Sequence, residues 1–137
     1  MGPPEDVDEI RQLLARIFHA GDAWDRDTWL DCYTDDALFD SPLIHMEGRD
    51  ELRDGFHTLR GTQPTRHWIG TMTIDVDGDE ATSVAYLFCV SATSPPAPMA
   101  GGIYHDSFRR VDGRWLFSER ILTVDGFDGP PPGAGPG

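Results

Sequence analysis

At 137 residues and 39% hydrophobic content, the chain is sized for one domain with its own core and room for an internal pocket. A formal net charge of −13 excludes the clustered Lys and Arg that nucleic acid or an anionic membrane surface would require. No apolar run approaches the ~20 residues of a membrane span and the acidic start is unlike a signal peptide, so a cytoplasmic protein is expected.

From Glu5 onward, Val7, Ile10, Leu13, Leu14, Ile17 and Phe18 recur at helical spacing and form one apolar stripe, with acidic residues in the first turn and Gly21 at the end. A second, short helix is predicted over residues 25–33, capped by Asp25 or Asp27, with Trp29, Leu30 and Tyr33 turned inward. Thr34-Asp35-Asp36 breaks it. Residues 37–40 read as a short strand stopped by Ser41-Pro42. A third helix is expected over 48–59, burying Leu52, Phe56 and Leu59.

Four long β-like segments follow, at residues 65–76, 80–92, 102–111 and 114–124. Asp77-Gly78 and Asp112-Gly113 join them into two hairpins, because both central turn residues favour positive φ. The connection at 94–101 is proline-rich, a pocket rim or an inert loop. Strict alternation along the first strand puts His67, Ile69, Thr71 and Thr73 on one face and Trp68, Gly70, Met72 and Ile74 on the other. Residues 5–126 are expected to be ordered within a single domain spanning 1–137, with 129–137 a Gly/Pro-rich tail. Cys32 and Cys89 lack C-x-x-C spacing and are expected as free, buried thiols.

The order and spacing of Tyr33-Thr34-Asp35-Asp36-Ala37, Arg66-His67, Gly78-Asp79-Glu80-Ala81, Gly102-Ile103-Tyr104-His105-Asp106 and Arg109-Arg110-Val111-Asp112-Gly113-Arg114-Trp115 resemble the NTF2-like superfamily, and within it the SnoaL-like group. The resemblance spans about residues 7–124. It implies an α+β cone, three N-terminal helices packed on a strongly curved antiparallel β-sheet, and a homodimer. It does not select a reaction, since that superfamily includes cyclases, isomerases, dehydratases, epoxide hydrolases and members without catalysis. The stretch around His67 is further similar to scytalone dehydratase, in which an aspartate after the first helix orients a strand histidine. Asp22 falls on that aspartate and His67 on that histidine. The two water-holding tyrosines of that enzyme fall near Gly21 and Ser41 and are missing.

A histidine oriented by a carboxylate is a general acid–base unit: the acid fixes the tautomer and raises the basicity of the ring. Each member also has a plain structural role, Asp22 as a helix cap and His67 as a solvated strand residue. Tyr104, Asp106 and Phe108 share one strand face, so Tyr104 could donate to a developing oxyanion, and Asp106 could act at the ligand or pair with Arg120. Trp24, Trp68 and Phe88 are candidate flat walls for a ligand, and Asp40 and Arg120 candidate polar contacts. His19, His45, His57 and His105 show no metal-binding spacing, and there is no phosphate loop, so neither metal nor cofactor is expected.

Three functions follow. The first is a cofactor-independent enzyme that cyclises, dehydrates or isomerises a hydrophobic oxygenated small molecule of polyketide type, with His67, Asp22 and Tyr104 as its machinery. The second is an epoxide-opening enzyme built on Asp106 and Arg120. The third is a non-catalytic small-molecule-binding module.

Overall fold

The computed structural model describes residues 2–126. The expected tail at 129–137 lies outside the described residues.

The chain runs α1 (Pro4–Asp22), α2 (Arg26–Asp31), β1 (Tyr33–Asp40), β2 (His45–Glu47), α3 (Arg49–Arg60), β3 (Thr65–Asp77), β4 (Glu80–Ser91), β5 (Pro98–Val111) and β6 (Arg114–Val124). A proline inside the first turn of α1, where its missing N–H costs nothing, opens that helix. Its apolar stripe is buried at Ile10, Leu13, Leu14 and Ile17, each contributing roughly 1.5–3 kcal/mol by leaving water. At the same end, Asp6 accepts hydrogen bonds from Arg110 Nη1 at 2.7 Å and Trp115 Nε1 at 3.1 Å, tying the helix to the β5–β6 hairpin. The Asp25 side chain caps α2 by accepting from Thr28 N at 3.2 Å. Leu52 and Phe56 are the buried face of α3.

Thr34-Asp35-Asp36 does not break the chain into a loop. It belongs to β1, which begins at Tyr33, and the short strand β2 pairs with its far end. The six strands form one sheet in the order β2-β1-β6-β5-β4-β3, antiparallel throughout except that β1 runs parallel to β6. This is the α+β architecture the sequence predicts, with one parallel junction added. β5 also starts earlier than expected, at Pro98, so half of the proline-rich connection is strand.

The two hairpins form where expected. Asp112 and Gly113, at φ 51° and 78°, are the central residues of the second turn. The first turn sits one residue later than predicted. Asp77 pairs with Glu80, and Gly78, at φ 62°, takes the first central position.

One irregularity decides which side chains face inward. The β3–β4 register shifts between Gly70 and Thr73, and Thr71 stands at φ 45°, so a bulge adds one residue to β3. Before it His67 and Ile69 point to the helices; after it Met72, Ile74 and Val76 do. The expected strict alternation is therefore corrected: Met72 and Ile74 share the face of His67, and Thr71 and Thr73 do not. Further register shifts interrupt the β4–β5 and β5–β6 ladders, and such bulges increase local twist and curve a sheet around what packs on it.

Candidate active site

Asp22 is the last residue of α1, and His67 is the third residue of β3. Contact between α1 and β3 brings their side chains together, with His67 Nδ1 2.6 Å from Asp22 Oδ1. The carboxylate also accepts from Thr65 Oγ1 at 2.9 Å and from the His67 backbone N–H at 3.2 Å. Three donors therefore hold one acid, so the imidazole keeps Nδ1–H on the Asp22 side and Nε2 for another partner. The Phe18 ring stacks on the imidazole at 5.3 Å between centroids and meets Tyr104 edge-on at 5.4 Å.

Burial alone would lower the basicity of His67. The hydrogen bond to Asp22, together with the neighbouring Cys89 sulfur, outweighs it and raises the imidazole from 6.5 to about 9. Burial likewise pushes the Asp22 carboxyl upward, but the bonds from His67 and Thr65 prevail and hold it below the usual range.

His67 borders a mainly apolar cavity of about 280 Å³ between the helices and the sheet, and Asp22 bonds it from outside that lining. Ile17, Phe39, Phe56, Leu87 and Leu122 supply its apolar lining, and Tyr104, Arg120, Arg60 and Cys89 its polar groups. Leu43 and Met99, 74% and 44% exposed, also border it and mark its opening to solvent. A wider depression of about 750 Å³, lined by Asp36, Asp75, Glu80 and Glu119, is more open and more polar. The smaller cavity, which His67 borders, is the site that matters here.

Arg120 is only 2% exposed and borders this cavity. Its Nε and Nη2 donate to the two Asp106 oxygens at 2.9 and 3.2 Å, and its guanidinium lies 4.2 Å from the Tyr104 ring centroid and 4.4 Å from that of Phe117. Burial works against the Arg120 charge, and the Asp106 carboxylate more than restores it. Burial pushes Asp106 above the ordinary carboxylate range, opposed by Arg120. Tyr104 is raised by burial to about 12, so its hydroxyl is a donor at neutral pH.

The SnoaL-like domain family matches residues 4–121, most of the chain. The chain belongs to that family. Among curated proteins, no sequence matches it. Among solved structures, a Nostoc punctiforme protein of unknown function with a cystatin-like fold is 27% identical, with a TM-score of 0.85 over 90% of this chain and 94% of that one. A candidate scytalone dehydratase from Novosphingobium aromaticivorans is 20% identical, with a TM-score of 0.79 over 96% and 95% of the two chains. ActVI-ORFA from Streptomyces coelicolor is 20% identical, at 0.77 over 87% and 97%. The last two show a shared fold and no more.

The other sequence-predicted residues fall elsewhere in this SnoaL-like domain. Trp68 and Phe88 pair across β3 and β4 and are 67% and 50% exposed on the face away from His67, so neither lines the cavity. Their neighbours His67 and Cys89 point inward, and alternation sends them out. Asp40, at the exposed end of β1, bonds His45 Nδ1 at 3.2 Å instead of meeting a ligand. Trp24 stands beside the site: its Nε1 donates to Gly61 O at 3.1 Å, and the Arg60 guanidinium stacks 4.1 Å from its ring. It braces a cavity residue without being one. Asp106 is fully enclosed by its pairing with Arg120 and is not among the cavity-lining residues. Phe18, Arg60 and Cys89 were missed. The apolar stripe of α1 contains Phe18 but cannot say that it stacks on a histidine, and Cys89 is found only by counting the β3–β4 ladder back from its turn.

Proposed function

We propose that this SnoaL-like domain is a cofactor-independent enzyme that dehydrates, cyclises or isomerises a hydrophobic oxygenated molecule. The observation that carries the reading is the 2.6 Å His67–Asp22 contact on the border of an apolar cavity. With His67 raised to about 9, the ring holds its proton at neutral pH and serves as the general acid, with Asp22 balancing its charge. Tyr104 and Arg120 are donors as well. His67, Tyr104 and Arg120 as donors suit a reaction in which negative charge grows on oxygen, whether an enolate or a departing hydroxyl. The apolar lining supports a largely carbon-skeleton substrate, and a volume of about 280 Å³ sits at the small end for ligand sites. Membership of the SnoaL-like family, together with the apolar lining, supports a polyketide-type substrate.

An epoxide-opening reaction would need Asp106 to activate water. Its enclosure by Arg120 argues against that role. The domain is further inferred to be a homodimer, supported by the exposed Trp68, Tyr86 and Phe88 on the outer sheet face.

The test is turnover of hydrophobic β-hydroxy ketones and linear polyketide mimics by the native protein, His67→Ala and Asp22→Asn. His67→Ala should lose on the order of 10²–10⁴-fold in kcat, with circular dichroism unchanged. Full turnover in that variant overturns the reading. A pH–rate profile that falls through about 9 marks His67 as the acid, and one that rises through it marks the ring as a base.

A further inference from the structure

Two free cysteines are present among the described residues, and they stand in opposite circumstances. Cys32 is 1% exposed in the core, its thiol donates to Thr28 O at 3.4 Å, and burial pushes it up to about 11. Cys89 borders the cavity and is the direct cross-strand partner of His67 in the β3–β4 ladder. Both side chains line the same cavity, so the sulfur and the imidazole are neighbours on the inner face of the sheet. Asp22 occupies Nδ1 of the same ring. Cysteine, histidine and aspartate therefore stand in series, with the sulfur end bordering an apolar chamber. The acid–base reading leaves the sulfur without a task.

We propose that Cys89 is a nucleophile of this cavity, activated by the His67–Asp22 pair, and that it captures α,β-unsaturated carbonyl compounds covalently. His67 already holds its proton at neutral pH, and this imidazolium, balanced by Asp22, stabilises the thiolate that forms when Cys89 gives its proton to water. The sulfur adds to the β-carbon, so a C–S bond forms and the C=C π bond breaks. The imidazolium then gives its proton to the α-carbon and regains one from water. No oxidant, reductant or leaving group is involved, and the product is a thioether. The ligand class is a hydrophobic enone or quinone small enough for about 280 Å³. This activity shares a histidine with the proposed turnover but does not require that turnover to occur.

N-ethylmaleimide, itself an enone-type electrophile, is the probe, and intact mass with peptide mapping is the readout. The native protein is expected to gain one adduct, on Cys89, at least tenfold faster than any adduct on Cys32. Cys89→Ser should abolish it and Cys32→Ser should leave its rate unchanged. His67→Gln should slow capture tenfold or more. Asp22→Asn should slow it as well, and that variant decides the matter if His67→Gln does not fold. Equal labelling of both cysteines, no labelling of the native protein, or a Cys89 rate unchanged when its partner is replaced would each overturn the proposal. None of these readings depends on whether the enzyme dehydrates or cyclises anything.

Discussion

Replacing Asp22 by Asn keeps the size of the side chain and removes its charge, so it isolates what the carboxylate does for His67. The imidazole rises from 6.5 to about 9 although burial alone would lower it, which corresponds to about 3 kcal/mol favouring the charged ring. The ring is 22% exposed and the carboxylate 12%, so little of this is screened by solvent. In Asp22→Asn the midpoint should drop toward 6.5, because burial remains and its main counterweight is gone while the Cys89 sulfur stays. A titration of the imidazole carbon-bound protons by NMR from pH 5 to 10 reads this directly. The linked stability has a definite sign. A raised histidine stabilises the fold fully below about 6.5, and that contribution is lost as the pH climbs through about 9. Urea unfolding should find Asp22→Asn weaker at pH 6 by up to about 3 kcal/mol, with the gap narrowing above pH 9. A native midpoint between 6 and 7, or the same midpoint in both proteins, refutes the electrostatic account of the site.

Arg120→Leu alone leaves the Asp106 charge enclosed without a partner and should cost about 3–5 kcal/mol in urea unfolding. Arg120→Leu combined with Asp106→Leu should recover most of that loss, because the penalty lies in the stranded charge; no recovery would mean that packing dominates. Trp68→Glu should leave the His67 midpoint unchanged and shift the light-scattering mass toward one chain. A native mass of one chain, or a mass unchanged by the substitution, would refute the outer sheet face as a contact between copies.

Much of the fold can be read from the residues. The apolar period of α1, the Asp25 cap and the two glycine turns are local signals, and each is found where local chemistry puts it, the Gly78 turn one residue later than read. β2 could not be read, because three residues after Ser41-Pro42-Leu43 carry no pattern of their own and form a strand only by pairing with β1. The site was half legible. Asp22 and His67 come out of sequence motifs, but alternation says only which residues share a face, never which face the helices cover. Trp68 and Phe88 show this: their size suggests burial, and the sheet turns them outward because their neighbours His67 and Cys89 are the ones beneath α1. The bulge has one local mark, Gly70 at its edge, but the residue that takes the positive φ is Thr71 at 45°, so the change of face hides from any pattern of period two.

That single extra residue has a further consequence. Counted from the Gly78-Asp79 turn without it, the ladder would set His67 opposite Val90, and Trp68 would take the inward place; with it, His67 meets Cys89. The segment 65–70 can thus be zipped to β4 in two frames, one greasy inside and one ionisable. The end of α1 supports the observed frame, because Asp22 accepts from both the backbone and the ring of His67, so the acid that tunes the proton also favours the frame in which there is a proton to tune.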